Sequence, residues 1–274
     1  MKKYLIGIDL DGTTLNAASE ISTETLAYLK YVVKQGHKIV IATGRPYRGC
    51  REFYDALGLD TPLICDNGSS IYKANDPLFE PVYLKIKKSI IDKIFKFSKD
   101  HIETAFYSVE DQLFVFRPQE RLSFLYHLNH NTLITETPFD KPGLPEPYGI
   151  MMAIRRPFDL PFESFLEFET EGLLTFRSWG KDMNNAVYEV YQKRASKGDA
   201  ILHVASYLGI PRENIITFGD GLNDVELLKV AHHGVAMKNA VIETKEVSDA
   251  ITEFDNHENG LIKYLDEYLK KDAS

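Results

Sequence analysis

Two aspartates one residue apart close the first apolar run of this chain, in Asp9-Leu10-Asp11-Gly12-Thr13. On extended backbone, positions i and i+2 point to the same side. Two carboxylates held together repel one another unless a cation lies between them. Mg²⁺ suits such a pair, being a hard ion that takes one or two carboxylates together with phosphate oxygens. A carboxylate can also attack phosphorus and become an aspartyl-phosphate, once a metal offsets the charge that would repel it. The plain alternative is a strand-end turn, for which Asp-Gly is ordinary chemistry.

Three more segments carry residue types that suit the same chemistry. Lys197 lies at a helix start, where a cation opposes the helix dipole unless an anion is bound there too; a solvated lysine near a helix start is the ordinary alternative. Thr43-Gly44 offers a hydroxyl and an unobstructed backbone N–H to a phosphoryl oxygen, or makes a generic strand-to-helix turn. Asp220 and Asp224 bracket a glycine-rich loop, as a further metal ligand or as a plain helix cap, a position Asp224 would suit.

Those residues must be positioned by the elements that precede them. Tyr4 to Leu10 is apolar on both faces, as expected of a strand in the middle of a parallel sheet. Ser22 or Thr23 can cap a helix carrying Leu26, Leu29, Val32 and Val33, with Gly36 as its stop. Lys38 to Ala42 reads as a second strand, making a βαβ unit. The grammar returns late in the chain. A helix from Lys197 carries Ile201, Leu202, Ala205 and Leu208, and a strand Ile215–Phe218 runs into Gly219-Asp220. Next come a helix through Leu227 and Leu228 and a strand near Val235–Met237. Asp9, Thr43 and Asp220 thus stand at strand ends, where ligands bind in open parallel sheets.

The stretch between differs in texture, being rich in Phe and Tyr and broken by Pro138, Pro142, Pro145 and Pro147. Gln112–Arg117 and Gly149–Ile154 resemble strands, and Ser89–Lys99 and Phe162–Thr170 resemble helices. The expected fold class is therefore α/β: a Rossmann-like parallel-sheet core, residues 1–82 and 188–274, interrupted by an α+β domain over 83–187. Phe95, Phe97, Phe114, Phe116, Phe165 and Phe168 recur at helix or strand spacing and are expected in the inserted domain's core.

Bulk properties narrow the function. The 274 residues, 44% hydrophobic and 26% charged, suit a packed globular protein. A formal net charge of −8 argues against a nucleic-acid binder. Cys50 and Cys65 have no metal-type spacing; one bridge between them is conceivable, but two cysteines make no disulfide framework, and a reducing cytoplasm is the simpler expectation. The apolar run ending at Asp9 is too short for a signal peptide, and nothing later approaches a membrane span. No G-x-x-x-x-G-K-[ST] occurs, which excludes a P-loop nucleotidase.

Asp9-Leu-Asp11-Gly-Thr13, Ala42-Thr43-Gly44-Arg45, Lys197-Gly198 and Gly219-Asp220-Gly221-Leu222-Asn223-Asp224 together resemble the four motifs of the haloacid dehalogenase superfamily. The likeness is to Cof-type hydrolases, whose large cap lies between the second and third motifs. It extends to Cys65-Asp66-Asn67-Gly68, to Gly234–Ala240 and to Asn259-Gly260-Leu261. The resemblance implies a Mg²⁺-dependent phosphatase acting on small phosphomonoesters. Asp9 would be nucleophile and metal ligand. Asp11 would bind the metal through its carbonyl and serve as general acid and then base. Thr43, the Gly44 and Leu10 amides, Lys197 and Asn223 would hold the phosphoryl group. Asp220 would complete the metal site and Asp224 would support it from behind. Lys238 departs from the family's usual glycine, which leaves substrate preference open. A cap of that size would favour small substrates over phosphoproteins. Competing readings are a phosphotransferase or phosphomutase on the same core, and a non-catalytic metabolite sensor, which would be expected to have lost Asp9, Asp11, Lys197 or Asp220. Arg45, Arg155 and Arg156 could meet a second anionic group, although at least two of the three are expected in solvent.

Overall fold

A computed structural model describes residues 2–73, 76 and 79–272. In chain order the elements begin with β1 (Leu5–Ile8), α1 (Thr23–Lys34), β2 (Lys38–Ile41), α2 (Arg51–Leu57), β3 (Leu63–Cys65), β4 (Ser70–Tyr72) and β5 (Val82–Tyr83). The inserted segment supplies α3 (Lys88–Ser98), β6 (Ile102–Val109), β7 (Gln112–Phe116), β8 (Leu133–Glu136), β9 (Gly149–Arg155), α4 (Asp159–Glu169), β10 (Leu174–Lys181) and β11 (Asn185–Gln192). The chain closes with α5 (Lys197–Tyr207), β12 (Ile215–Gly219), α6 (Val225–Val230), β13 (His233–Ala236), α7 (Ile242–Glu246), β14 (Ala250–Ile251) and α8 (Gly260–Asp272).

These elements divide into two compact units, one of residues 1–45, 50–82 and 196–274, the other of 46–49 and 83–195. The boundary expected at 187/188 falls inside β11, which pairs along its whole length with β10. A strand cannot leave a sheet midway without orphaning its backbone groups, so the second unit continues to Ala195. Pro46–Gly49 groups with that unit because Arg48 donates to the Ser108 hydroxyl at 2.8 Å and to the Tyr126 carbonyl at 2.6 Å.

The first unit is built on a five-stranded parallel sheet in the order β14-β13-β12-β1-β2. β1 and β12 are buried along their whole length, which is why each reads as an unbroken apolar run. Register aligns the strand ends. Ile8 lies level with Ile41 of β2 and with Phe218 of β12, so Asp9, Ala42 and Gly219 leave the sheet side by side. A parallel bridge between Ala42 and Ile64 brings the end of β3 alongside. Ser22 caps α1 by accepting the Thr25 N–H, and α1 buries Leu29 and Val32. Ser196 caps α5 through the Asp199 N–H, and that helix buries Ile201, Val204 and Ala205.

The second unit is a six-stranded sheet, β10-β11-β9-β6-β7-β8, antiparallel except for the β7–β8 pair. Along β9 the residues alternate. Ile150, Met152 and Ile154 pack with Ile91, Ile94 and Phe95 of α3 and Phe162 and Leu166 of α4. Met151 and Ala153 instead join Phe106, Leu113 and Leu122 in a second cluster. Phe95 and Phe114 are core residues as expected, whereas Phe97 and Phe168 are exposed because they fall on the outer sides of α3 and α4. No helix among the described residues is long and apolar enough to cross a membrane.

Candidate active site

Asp9 follows the last residue of β1, and its N–H continues the ladder by donating to the Phe218 carbonyl at 3.1 Å. The chain then makes one wide turn, Leu10–Thr14, closed by the Leu15 N–H on the Leu10 carbonyl at 2.9 Å. Gly12 occupies the left-handed region at φ +74°, and a Cβ there would lie 2.2 Å from an Asp220 carboxylate oxygen. Only glycine lets the two loops approach this closely. Thr13 donates its hydroxyl to Asp220 at 2.8 Å, and Thr14 donates to the Asp9 carbonyl at 2.6 Å.

Lys197 is the first residue of α5 and is 1% exposed. Its ammonium lies 2.7 Å from Asp9 Oδ1 and 2.7 Å from Asp224 Oδ1. The conflict with the helix dipole anticipated from sequence is resolved by two carboxylates. The second oxygen of Asp224 accepts the N–H groups of Asp220 and Gly221, each at 3.0 Å. Asp224 therefore ties Lys197 to its own loop and does not cap α6, to which it gives no side-chain hydrogen bond.

Asp9, Asp220 and Asp224 each offer an oxygen within 4.8 Å of the others. Three carboxylates against one ammonium leave a buried excess of negative charge. Burial first, then the Asp224 carboxylate, push Asp9 well above the ordinary carboxylate range, although Lys197 opposes them. Burial and Asp224 likewise push Asp220 up to about 6. Lys197 alone does not keep Asp9 acidic; the donor set calls for a further cation, and a hard divalent ion fits it. Since both Asp224 oxygens are already engaged, Asp9 and Asp220 are the carboxylates suited to hold it.

On the other side of Asp9, Thr43 is fully buried and its hydroxyl accepts the Arg45 N–H at 3.1 Å. The Leu10 and Gly44 amides have no backbone partner among the described residues. Asn223 donates to the Asn67 side-chain oxygen at 2.9 Å. Asp11 points away from the carboxylate cluster. Both its oxygens are held by Arg45, through Nε at 2.8 Å and a terminal nitrogen at 2.6 Å.

Two features escape the sequence. Arg45 is only 9% exposed and pairs with Asp11 over the Phe53 ring, while Arg155 and Arg156 are exposed, as expected of two of the three. Arg156, though exposed, forms an ion pair with Asp159. Asn67 is the second; the family resemblance reaches Cys65–Gly68 but gives the Asn67 side chain no role. Lys238 keeps its side chain exposed while its neighbour Asn239 donates to the Gly12 carbonyl at 2.8 Å, so the unusual residue leaves that brace intact. Cys50 and Cys65 are buried and form no disulfide.

A parallel sheet whose central strand ends in this carboxylate–lysine cluster, interrupted by an α+β unit, defines a class, and the comparisons agree. A family model for haloacid dehalogenase-like hydrolases matches residues 6–265. The chain belongs to that family. It is 29% identical over 270 residues to the 5-amino-6-(5-phospho-D-ribitylamino)uracil phosphatase YitU of Bacillus subtilis, covering 98% of each chain. It is 27% identical over 255 residues to the pyridoxal phosphate phosphatase YbhA of Escherichia coli, covering 88% of this chain and 89% of that one. Among solved structures, a haloacid dehalogenase-like hydrolase from Bacteroides thetaiotaomicron superposes with a TM-score of 0.81 at 24% identity, covering 97% and 100% of the two chains. The subclass IIB sugar phosphatase BT4131 gives 0.79 at 23% identity, covering 97% and 99%.

Proposed function

We propose that this enzyme is a Mg²⁺-dependent phosphatase of small phosphorylated metabolites that works through a phosphorylated Asp9. The observation that carries the reading is the fully buried Lys197 joined to Asp9 and Asp224, with Asp220 in the same cluster. Asp9 and Asp220, with the Asp11 carbonyl, would hold Mg²⁺, which when bound offsets the charge between carboxylate and phosphate.

An Asp9 oxygen attacks phosphorus, and the bond from phosphorus to the ester oxygen breaks. Asp11, more than half exposed, must first leave Arg45 and take a proton from solvent; it then supplies that proton to the leaving oxygen. Water then gives a proton to Asp11 and attacks the aspartyl-phosphate; the phosphorus–Asp9 bond breaks, leaving inorganic phosphate and a restored Asp9. Lys197 balances the phosphoryl charge throughout. The Thr43 hydroxyl, the Leu10 and Gly44 amides and Asn223 are donors for its oxygens. A small phosphomonoester is the partner this chemistry needs. Nothing in it calls for nucleic acid or a membrane, and the compartment we infer is a reducing cytoplasm, in which the buried Cys50 and Cys65, their sulfurs 3.3 Å apart, would stay thiols.

The test is inorganic phosphate release from sugar phosphates, pyridoxal phosphate, flavin mononucleotide, nucleotides and p-nitrophenyl phosphate, with Mg²⁺ or with EDTA. Release is expected with Mg²⁺ and not with EDTA. Asp9→Asn is expected to abolish it with an unchanged circular dichroism spectrum. Turnover retained by a clean preparation of that variant would remove Asp9 as nucleophile.

A further inference from the structure

At the end of β3 the chain makes a turn in which three successive residues are left-handed: Asp66 at φ 49°, Asn67 at φ 55° and Gly68 at φ 91°. Two of the three carry side chains, and although Asp and Asn tolerate this conformation as single residues, a run of them is unfavourable. Strain of this kind persists only where the surroundings over-determine it, and it gathers at functional sites. The surroundings here are the strand-end loops. The Asn67 N–H donates to the Thr43 carbonyl and the Asp66 N–H to the Arg45 carbonyl, each at 3.1 Å. Gly68 lies so close to the start of α5 that a Cβ on it would sit 2.2 Å from the Ser196 carbonyl oxygen. The turn thus braces both the Thr43-Gly44 loop and the helix end that carries Lys197.

The Asn67 side chain adds something the turn itself does not need. It is 2% exposed, lies against Gly44, where a Cβ would be 3.1 Å from its oxygen, and accepts the Asn223 amide N–H at 2.9 Å. A primary amide can present either its acceptor oxygen or its donor nitrogen. Because Asn67 offers an oxygen, the nitrogen of Asn223 is turned toward it. One N–H is spent on Asn67, and the other remains on the same nitrogen for an anion. Resting on the phosphatase reading, we propose that Asn67 is a positioning residue: it joins the β2 and β12 loops and sets Asn223 as a donor to the phosphoryl group.

An ordinary turn asparagine, tolerated because Asn accepts left-handed backbone, is the competing reading. Asn67→Gly separates the two, since glycine adopts this conformation freely and removes only the side chain. The experiment compares wild type, Asn67→Gly, Asn223→Ala and the double variant by kcat and KM for p-nitrophenyl phosphate with Mg²⁺. It also tracks the melting shift that inorganic phosphate produces with Mg²⁺ present. Asn67→Gly is expected to melt close to wild type, to lose about 10–100-fold in kcat/KM, and to lose most of the phosphate shift. The double variant should be no worse than Asn223→Ala alone, because Asn67 acts through Asn223. Wild-type kcat/KM in Asn67→Gly, or single losses that multiply in the double variant, would overturn the assignment. A wild type that hydrolyses nothing yet shows a phosphate shift that Asn67→Gly lacks would overturn the phosphatase reading and leave the clamp standing.

Discussion

Lys197 carries more of the site than any other side chain, because it is the only cation in direct contact with Asp9 and Asp224 among the described residues. Removing it would strand two carboxylates in a dry environment, a far larger penalty than losing an exposed ion pair. Lys197→Met, of similar length and apolar, is expected to lose turnover and about 3–5 kcal/mol of stability near neutral pH. The loss should shrink toward pH 5, because the stranded carboxyls can then take up protons. Urea unfolding in EDTA at both pH values measures this. An equal loss at both would mean that packing, and not charge, is what Lys197 contributes. Asp11 shows the complementary case, a carboxylate more than half exposed yet held at both oxygens by a nearly buried Arg45.

The elements convert these residues into a site by register. Since β1, β2 and β12 end level, three loops separated widely in sequence open at one edge of the sheet, and α5 delivers Lys197 to them from its first turn. The cap of that helix therefore matters beyond its stability. Ser196→Ala and Ser22→Ala each remove an N-cap oxygen, from α5 and α1 respectively, and each is expected to destabilise by about 1 kcal/mol. Only Ser196→Ala should also lower kcat, several-fold, because only α5 starts at the site; matched melting and kinetic measurements on the pair decide it. Equal activity in the two variants would show that Lys197 is fixed by its carboxylates without help from the cap. Strands β1, β2, β12 and β13 and the Ser22 cap are legible in the sequence because buried parallel strands read as apolar runs and helix starts favour serine, whereas the Ser196 cap escapes notice beside Lys197. The contact of Asn67 with Asn223 is not legible, since the Cys65–Gly68 segment matches the family pattern without saying what its asparagine touches. Nor is the Arg45–Asp11 pair, as nothing local in either loop names the other. The end of the second unit at Ala195 was hidden too, because β11 carries its apolar alternation straight past the expected boundary.

At the scale of the whole molecule, the carboxylate cluster makes stability, metal and pH one linked quantity. Asp9 and Asp220 are both raised above the range of an unfolded carboxyl, Asp220 from 3.8 to about 6. Between those values the native state binds protons more tightly than the unfolded chain. Its stability in EDTA must therefore fall as pH rises through that window. Other carboxylates pull the opposite way: Asp60, hydrogen-bonded to Lys38, is lowered and contributes stability that is lost on acidification. The cluster's share is isolated by comparison with Asp220→Asn, which removes one raised group and leaves Asp60 alone. From pH 4.5 to pH 7, in EDTA, wild type is expected to lose stability relative to that variant. A ligand that binds only the native, deprotonated cluster must reverse the trend, so the melting shift produced by millimolar Mg²⁺ should grow over the same interval and be largely absent in Asp220→Asn. Thermal melts of both proteins across this range, with Mg²⁺ and with EDTA, test the two slopes together. A Mg²⁺ shift that is the same in Asp220→Asn as in wild type would place the metal away from these carboxylates.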